Sequence, residues 1–249
     1  MKRWSLVFTS VLMIVAVLGA TACQPKDTKL VVGTSADYEP FEFVAADGSY
    51  TGFDVELMEE IAKRLDMEIE WQDIAFDGLI GSLQSDKIDA IIAAMSATPE
   101  REQQVDFTEP YFIGADAIIV ASGSGIAIAT NADMAGYRVG VQTGTIQEEW
   151  VDANIDAEVS RYERAEQAIM DLKSGRVDIV AMDYYAAQAF ITQGGIDLAL
   201  KTEFSGEHMA VAVKEGNAEL RAMLDDAIDE LAAEGFIEQL AMKYLSGGE

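Results

Sequence analysis

From residue 29 onward, short apolar runs alternate with longer stretches whose apolar residues recur at helical spacing. The segments "KLVVGTS" (29–35), "MEIEWQDI" (67–74) and "IDAIIAAM" (88–95) have the composition of strands. Between them, "GFDVELMEEIAKRLD" (52–66) and "FDGLIGSLQSDK" (76–87) have helical periodicity. This order of strand, helix, strand, helix and strand predicts a parallel sheet covered by helices, because parallel neighbours need a crossover connection.

A second series of the same kind follows after residue 114. Its strand-like segments are "ADAIIVA" (115–121), "YRVGVQ" (137–142), "EVSRYE" (158–163) and "VDIVAMD" (177–183). The stretch "GLIGSLQSDKIDAIIAAM" is similar to "QAIMDLKSGRVDIVAMD" in its order of helix, turn and buried strand. We therefore predict an α/β protein of two similar lobes, each a mostly parallel sheet flanked by helices, with two further amphipathic helices near the C-terminus.

The charge of the chain limits its partners. It has 44 acidic and 17 basic side chains among 249 residues, which gives a formal net charge of −27. This balance argues against nucleic acid as a partner, because phosphate binding needs a basic patch. The acidity alone indicates solubility and does not identify a ligand.

The first 22 residues have the pattern of a secretory signal peptide. Lys2 and Arg3 precede a mostly apolar run over residues 6–20, and small residues lead to Cys23. The segment before Cys23 resembles a bacterial lipobox, which implies lipidation of this cysteine; an unlipidated thiol is the alternative. Cys23 is the only cysteine, so no disulfide framework is expected. With residues 23–28 as the lipidated N-terminus and tether, we expect a lipoprotein anchored on the outer side of the membrane, in the periplasm or at the cell surface.

An ordered set of stretches carries a specific resemblance. Together they cover essentially the whole chain after residue 29, and they read "GTSADYEPFEF", "GFDVELMEEIAKRL", "FDGLIGSLQSDKIDAIIAAMSATPERE", "VDFTEPYF", "VGVQTGTIQEEW", "LKSGRVDIVAMD" and "IDELAAEGFIEQLAMKYL". In this order they resemble the extracellular solute-binding proteins of polar amino-acid ABC transporters. The resemblance implies a binding protein without a cofactor that delivers its ligand to a membrane permease with its ATPase.

The resemblance also implies a division of the chain. The first lobe is expected to comprise residues 29–113 and 208–249, and the second lobe residues 114–207. The two crossing segments, "GADAIIVAS" and "SGEHMAVAV", would form a hinge about which the lobes close on a ligand. We expect the protein to act as a monomer.

A free amino acid carries a carboxylate and an ammonium group on one carbon, and burying it requires a charge-assisted partner for each. The resemblance assigns the carboxylate to Arg101, to the backbone N–H of Thr145 and to Ser96. It assigns the ammonium to Asp183, to the carbonyl of Ala94 and again to Ser96. A guanidinium suits a carboxylate because it is always charged and can donate two parallel hydrogen bonds.

Each charged or capping residue has a simpler interpretation beside this one. From spacing alone, Arg101 is a surface arginine near the start of a helix that begins at Pro99. Thr145 has the position of a helix N-cap, which is compatible with an anion site at the same helix end. Asp183 could be a capping or turn aspartate, although the end of a buried strand is also where ligands bind in α/β folds.

The resemblance assigns further residues to the pocket for the ligand side chain: Tyr38, Phe76, Ser35, Glu42, Gln142 and Gly144. The two aromatic rings would sandwich a guanidinium, ammonium, amide or imidazole group. Relatives that bind basic amino acids often have an acid where this chain has Ser35, so Glu42 or Asp37 could supply the negative charge instead. We favour arginine or another basic amino acid, and keep glutamine or another polar amino acid as the alternative.

Two other classes of function remain open at this point. The same fold occurs in periplasmic cyclohexadienyl dehydratases, and abundant carboxylates could perform acid–base chemistry. However, no nucleophilic constellation is expected, since His208 and Cys23 are the only histidine and cysteine. We predict no catalytic residue and no metal site. The fold also occurs in sensory ectodomains, but we expect no sensor, because no signalling segment follows the last helix.

Overall fold

A computed structural model describes residues 29–204, 206 and 208–246 of the protein. The predicted signal peptide, the lipidation at Cys23 and the tether up to residue 28 lie outside the described residues. Within them, the protein is an α/β structure with two five-stranded sheets and two lobes.

The first part of the chain forms one half of the first lobe. A short 3₁₀ helix, Phe76–Gly78, leads into its second α-helix. In chain order the regular elements are β1 (Lys29–Thr34), β2 (Asp37–Tyr38), β3 (Glu42–Val44), β4 (Tyr50–Thr51), α1 (Phe53–Arg64), β5 (Glu68–Asp73), α2 (Leu79–Gln84), β6 (Ala90–Ile91), β7 (Val105–Phe107) and β8 (Phe112–Ile113).

The second lobe follows, and the chain then returns to the first. The second lobe contains β9 (Asp116–Ala121), a 3₁₀ helix (Asn131–Met134), β10 (Arg138–Gln142), α3 (Ile146–Asn154), β11 (Glu158–Tyr162), α4 (Ala165–Lys173), β12 (Ile179–Asp183), α5 (Tyr184–Thr192) and β13 (Ile196–Thr202). The returning segment contains β14 (His208–Met209), β15 (Ala212–Lys214), α6 (Ala218–Ala233) and α7 (Phe236–Tyr244).

The two large sheets have the same topology. Their strand orders are β5-β1-β6-β15-β7 and β11-β10-β12-β9-β13. In each sheet the first three strands pair in parallel, and the fourth strand is antiparallel to both of its neighbours. Four of the five strands thus share a direction, but the sheets are mixed rather than simply parallel. In each sheet the antiparallel strand is the first one after the chain has crossed from the other lobe. The local sequence pattern does not show this direction.

Alternating residues of each central strand pack on opposite faces, so both faces are buried. In the first sheet, Leu30 and Val32 face α1, α6 and α7, whereas Ile91 and Ala93 face α2. The second sheet is covered in the same way, by α4 and α5 on one face and by α3 on the other. This two-sided burial explains why the strands read as continuous apolar runs.

The two crossing segments pair with each other. Strands β8 and β14 form an antiparallel ribbon in which Phe112 lies opposite Met209 and Ile113 opposite His208. The lobe boundaries and the hinge stay predictions. Strand β14 lies within the second expected crossing segment, and β8 directly precedes the first, which begins at Gly114; we call this pair the hinge ribbon. Such a short pair absorbs backbone rotation with few packing changes, as a hinge requires.

One predicted segment differs from the structure. The expected strand over residues 88–95 is regular only at Ala90–Ile91, and the helix expected to begin at Pro99 is a series of turns over residues 99–104. The strand ends early because Ala94 has a left-handed backbone with φ of 46°. The six residues from Pro99 to the start of β7 at Val105 form turns and no regular helix.

Among the described residues, no helix has the length and hydropathy needed to cross a membrane.

The core can be tested with two methionines of the first lobe. Met58 in α1 is 0% exposed and Met242 in α7 is 65% exposed. We expect Met58→Ala to lower the free energy of unfolding by about 2–5 kcal/mol, because it removes apolar contacts and leaves a cavity. The control Met242→Ala should change it by less than about 0.5 kcal/mol. Urea unfolding followed by circular dichroism measures both; equal effects would contradict this description of the core.

Candidate ligand-binding site

A cavity lies between the two lobes, and side chains of both lobes form its walls. The space between its walls, including the part open to solvent, is about 390 Å³. The lining residues are Ser35, Tyr38, Glu42, Phe76, Ala93, Ala94, Ser96, Arg101, Gln142, Thr145, Ile146, Gln147 and Asp183. One guanidinium and two carboxyl groups are among them, so the cavity can hold a small molecule that bears both signs of charge.

The first wall depends on the left-handed backbone at Ala94. The Ala94 N–H donates to Asp54 Oδ2 at 2.6 Å, and the Tyr111 hydroxyl donates to the same oxygen at 2.8 Å. Asp54 lies in the first turn of α1, where the helix dipole favours a carboxylate. Asp54 therefore fixes the turn that ends β6 and directs the following residues into the cavity.

Arg101 is held in a defined position within the cavity. Its side chain is only 5% exposed. Its guanidinium donates from Nη1 to the Ser96 carbonyl at 2.6 Å and from Nη2 to the Gly144 carbonyl at 2.9 Å. The guanidinium carbon lies 5.4 Å from the centre of the Phe76 ring, within the range of cation–π contact. Since Gly144 belongs to the second lobe, Arg101 also joins the two lobes.

The second lobe contributes the start of a helix. Thr145 is the N-cap of α3, and its Oγ1 accepts from Glu148 N at 3.2 Å and donates to the Gln142 carbonyl at 2.8 Å. Gly144 is not part of the cavity wall. It has φ of 79°, and its N–H donates to Glu148 Oε2 at 2.6 Å. A side chain at Gly144 would also meet Asp77 of the first lobe at 3.1 Å, so its absence permits close approach of the lobes.

Asp183 lies at the end of β12, directly before α5. Its Oδ1 accepts from Ala186 N at 2.8 Å, which caps α5. Its backbone N–H donates to the hydroxyl of Tyr38, from the first lobe, at 3.1 Å. The side chain is 2% exposed and lines the cavity. The capping interpretation of Asp183 is therefore correct, and it is compatible with a place in the cavity wall.

Glu42 is the second acid of the cavity wall. Its side chain is 1% exposed. Burial, followed by the charges of Asp54 and Asp37, raises the pKa of Glu42 well above its ordinary value. Burial also raises the pKa of Asp54 to about 6, although the hydrogen bonds from Ala94 and Tyr111 oppose this. The cavity thus contains an acid whose charge depends on what lies beside it.

Residues 30–247 match the family model of bacterial extracellular solute-binding proteins, family 3. The chain belongs to this family. A probable histidine-binding protein of Campylobacter jejuni is 37% identical over 217 residues, which are 86% of this chain and 84% of that protein. The arginine-binding extracellular protein ArtP of Bacillus subtilis is 33% identical over 99% of both chains.

A solved structure supports the same relationship. An ancestral arginine-binding protein bound to arginine superposes with a TM-score of 0.84 and 38% identity. The match covers 88% of this chain and 99% of that one. The two-lobe α/β fold expected from the sequence is thereby confirmed for this solute-binding protein.

The cavity contains nearly all the site residues named from the sequence. Those on its walls are Ser35, Tyr38, Glu42, Phe76, Ala94, Ser96, Arg101, Gln142, Thr145 and Asp183. Asp37 is not among them, and Gly144 contributes only the carbonyl that accepts from Arg101. No group of three or more potential metal ligands occurs among residues 29–204, 206 and 208–246.

Sequence reasoning missed several residues of the solute-binding site. Gln147 lines the cavity, is 4% exposed and donates from Nε2 to Asp116 Oδ1 at 2.8 Å. Ile146 adds an apolar contact beside it. Asp54 is not on the cavity wall and acts on it through Ala94 and Glu42, so no local pattern marks it. The position of Gln147 in the first turn of α3 could have suggested that it faces the cleft.

A second arginine joins the lobes outside the cavity. Arg164, directly before α4, donates from Nη1 to Asp73 Oδ1 at 2.9 Å and to Asp37 Oδ1 at 3.4 Å. The N–H of Ala165 donates to the other oxygen of Asp37 at 2.8 Å. We call this cluster of Arg164, Asp37 and Asp73 the outer clasp. Asp37 therefore connects the two lobes and does not line the cavity.

The outer clasp makes closure testable without a ligand. Its ion pairs are partly exposed, so each contributes about 0.2–1 kcal/mol to closure. We expect Arg164→Gln to raise the radius of gyration of the ligand-free protein in small-angle X-ray scattering, because open conformers become more populated.

The matched control is Arg176→Gln. It removes the same charge, but the partner of Arg176, Asp171, lies in the same lobe. An equal radius of gyration for the Arg164 variant, the Arg176 variant and the unaltered protein would contradict a role of the outer clasp in closure.

Proposed function

We propose that this protein binds a free L-amino acid and delivers it to the permease of an ABC transporter. The ligand that we favour is arginine or another basic amino acid. The observation that carries the proposal is the placement of one guanidinium and two acids, from both lobes, around a single cavity. An amino acid has the complementary set of charges. The names of the relatives, which describe histidine- and arginine-binding proteins, support the same ligand class.

Two sets of groups on the cavity wall suit the two α-substituents. The ligand carboxylate would accept from Arg101, from the backbone N–H of Thr145 and from Ser96. The ammonium would donate to Asp183, to the Ala94 carbonyl and to Ser96. The Ala94 backbone is already fixed by Asp54, and Arg101 is already oriented by two carbonyls. Such preorganisation reduces the entropic cost of binding.

The proposal for a basic side chain depends on Tyr38, Phe76 and Glu42. All three line the cavity, and aromatic faces attract a guanidinium. Of the two acids considered from the sequence, Asp37 is engaged in the outer clasp, which leaves Glu42 as the negative group for the ligand side chain. Ser35, which stands at an often acidic position, donates to Asp37 at 3.0 Å.

The alternative ligand is glutamine or another polar amino acid. Gln142 lines the cavity, and its Nε2 donates to the Glu163 carbonyl at 3.3 Å. A protonated Glu42 is also able to donate to an amide carbonyl. The two ligand classes therefore differ in which protonation state of Glu42 they favour.

Ligand binding would favour the closed arrangement, because the two lobes supply complementary halves of the contacts. The permease, with its ATPase, would then bind to the surface of the closed form. By the description of its family the protein is extracellular. We propose in addition a monomer, lipidated at Cys23 and anchored to the membrane, with lobes of residues 29–113 plus 208–249 and 114–207.

Substitution of the charged groups tests the site. We expect Arg101→Ala and Asp183→Ala to abolish arginine binding in isothermal titration calorimetry, because each leaves one charge of the ligand buried without its oppositely charged partner. Arg176→Ala, on the surface of the second lobe, serves as the control and should bind as the unaltered protein does. Ordinary affinity in the Arg101 or Asp183 variant would refute the assignment.

A screen over the twenty amino acids tests the ligand. We expect arginine to raise the midpoint of thermal unfolding most, with glutamine and histidine behind it, since a ligand that binds only the folded state stabilises it in proportion to the logarithm of its concentration over Kd. Differential scanning fluorimetry gives the ranking, and calorimetry on the leading compounds gives the Kd. A ranking led by apolar amino acids would overturn the proposal for the side-chain pocket.

A further inference from the structure

A second buried carboxyl group lies next to Glu42. Glu42 is 1% exposed and Asp54 is 0% exposed, and the charge of Asp54 is one of the causes that raise the pKa of Glu42. One oxygen of each, Glu42 Oε2 and Asp54 Oδ1, is fully buried and receives no N–H or O–H from the described residues. Ionised carboxylates are only acceptors, so neighbouring buried carboxyl oxygens that receive no other donor can bond to each other only if one of the pair carries a proton.

The proton belongs on Glu42 rather than on Asp54. The other oxygen of Asp54 already accepts from Ala94 N at 2.6 Å and from the Tyr111 hydroxyl at 2.8 Å. Two donors stabilise the ionised form of Asp54. Within the part of the chain that the structure describes, Glu42 Oε2 receives no donor, and Glu42 is the member of the pair that lines the cavity.

The charges that face Glu42 from other elements also favour its neutral form. Asp37, from β2, and Asp183, from the end of β12, both act on it as negative charges. Asp37 is partly offset by Arg164. Arg101 lies on the same cavity but donates to two backbone carbonyls. A neutral Glu42 is the state that this surrounding selects until a cation comes next to it.

We propose that Glu42 and Asp54 share one proton and that a ligand with a cationic side chain expels it, so that arginine binds with release of a proton. The O–H bond of Glu42 breaks, the carboxylate pairs with the guanidinium, and the proton passes to the buffer. A neutral side chain leaves the proton in place and accepts a hydrogen bond from it. This inference rests on the proposed function, because it takes an amino acid as the ligand of the cavity.

The consequence is a preference that depends on pH. Below the pKa of the pair, the affinity for arginine rises with pH by up to about tenfold per unit, as linkage to one proton requires. The affinity for a neutral isostere stays constant over the same range. Acidification would therefore shift the protein from basic towards neutral amino acids.

Calorimetry in buffers with different enthalpies of ionisation counts the protons directly. L-Arginine is compared with L-citrulline, a neutral ligand of nearly the same shape, at about pH 6.5, where the α-groups of both are in their ordinary charged forms. The slope of the observed enthalpy against buffer ionisation enthalpy should be close to one proton released for arginine and close to zero for citrulline. Since both ligands have the same α-groups, a difference in the number of protons released must come from the contacts of the ligand side chain.

Two variants connect the proton to the pair. In Asp54→Asn the new amide donates to Glu42 and keeps it ionised, so arginine should bind without proton release. In Glu42→Gln there is no carboxyl proton to expel, so arginine and citrulline should bind with the same number of protons released. The higher affinity for arginine than for citrulline should also be lost. If Asp54→Asn fails to fold by circular dichroism, Glu42→Gln alone decides.

The outcomes separate this inference from the proposed function. If arginine binds with the same proton count as citrulline, or if Glu42→Gln retains the difference, the shared proton is refuted and amino-acid binding stands. If no amino acid binds, the proposed function fails and this inference fails with it. A difference of about one proton that disappears in Glu42→Gln supports both.

Discussion

The hydrogen bond from the Ala94 N–H to Asp54 determines much of the cavity. It holds Ala94 at φ of 46°, which ends β6 and turns the chain away from the sheet. Two residues later, the Ser96 carbonyl orients the guanidinium of Arg101. Tyr111 binds the same Asp54, and its own N–H donates to the carbonyl of Met209 in the hinge ribbon. One buried carboxylate thus connects the first helix, the cavity wall and the hinge.

Two arginines join the lobes of an otherwise acidic protein, and their surroundings give them different tasks. Arg101 is buried in the cavity and donates to the carbonyls of Ser96 and Gly144, so the two lobes together orient its guanidinium. Arg164 is partly exposed and is bonded to carboxylates, so its charge is already compensated. Exposed pairs of this kind contribute little each, which suits a clasp that must open again. A fully satisfied buried pair would favour the closed state too strongly for a protein that releases its ligand.

The sequence predicts the fold well because the information is local. Apolar runs and helical spacing mark the strands and helices, and the ordered motifs identify Arg101, Thr145 and Asp183, which the structure brings to one cavity. The mixed pairing of the sheets was not predictable in the same way, since it depends on a strand that arrives from the other lobe. The early end of the strand expected over residues 88–95 was not predictable, because Asp54, which holds Ala94, lies forty residues earlier in the chain.

Three acids near the cavity show that the role of a carboxyl group depends on its hydrogen-bond and charge partners and not on the residue type alone. Asp183 caps α5, and Asp37 is held by Arg164 and by the N–H of Ala165. Glu42 lies near a second buried acid, Asp54, whose charge helps to raise the pKa of Glu42. An acid in this position is costly to ionise unless the ligand brings a positive charge. The selectivity of the pocket therefore follows from what Asp54 must do for the backbone: the carboxylate that shapes the cavity is also the one that keeps its neighbour neutral.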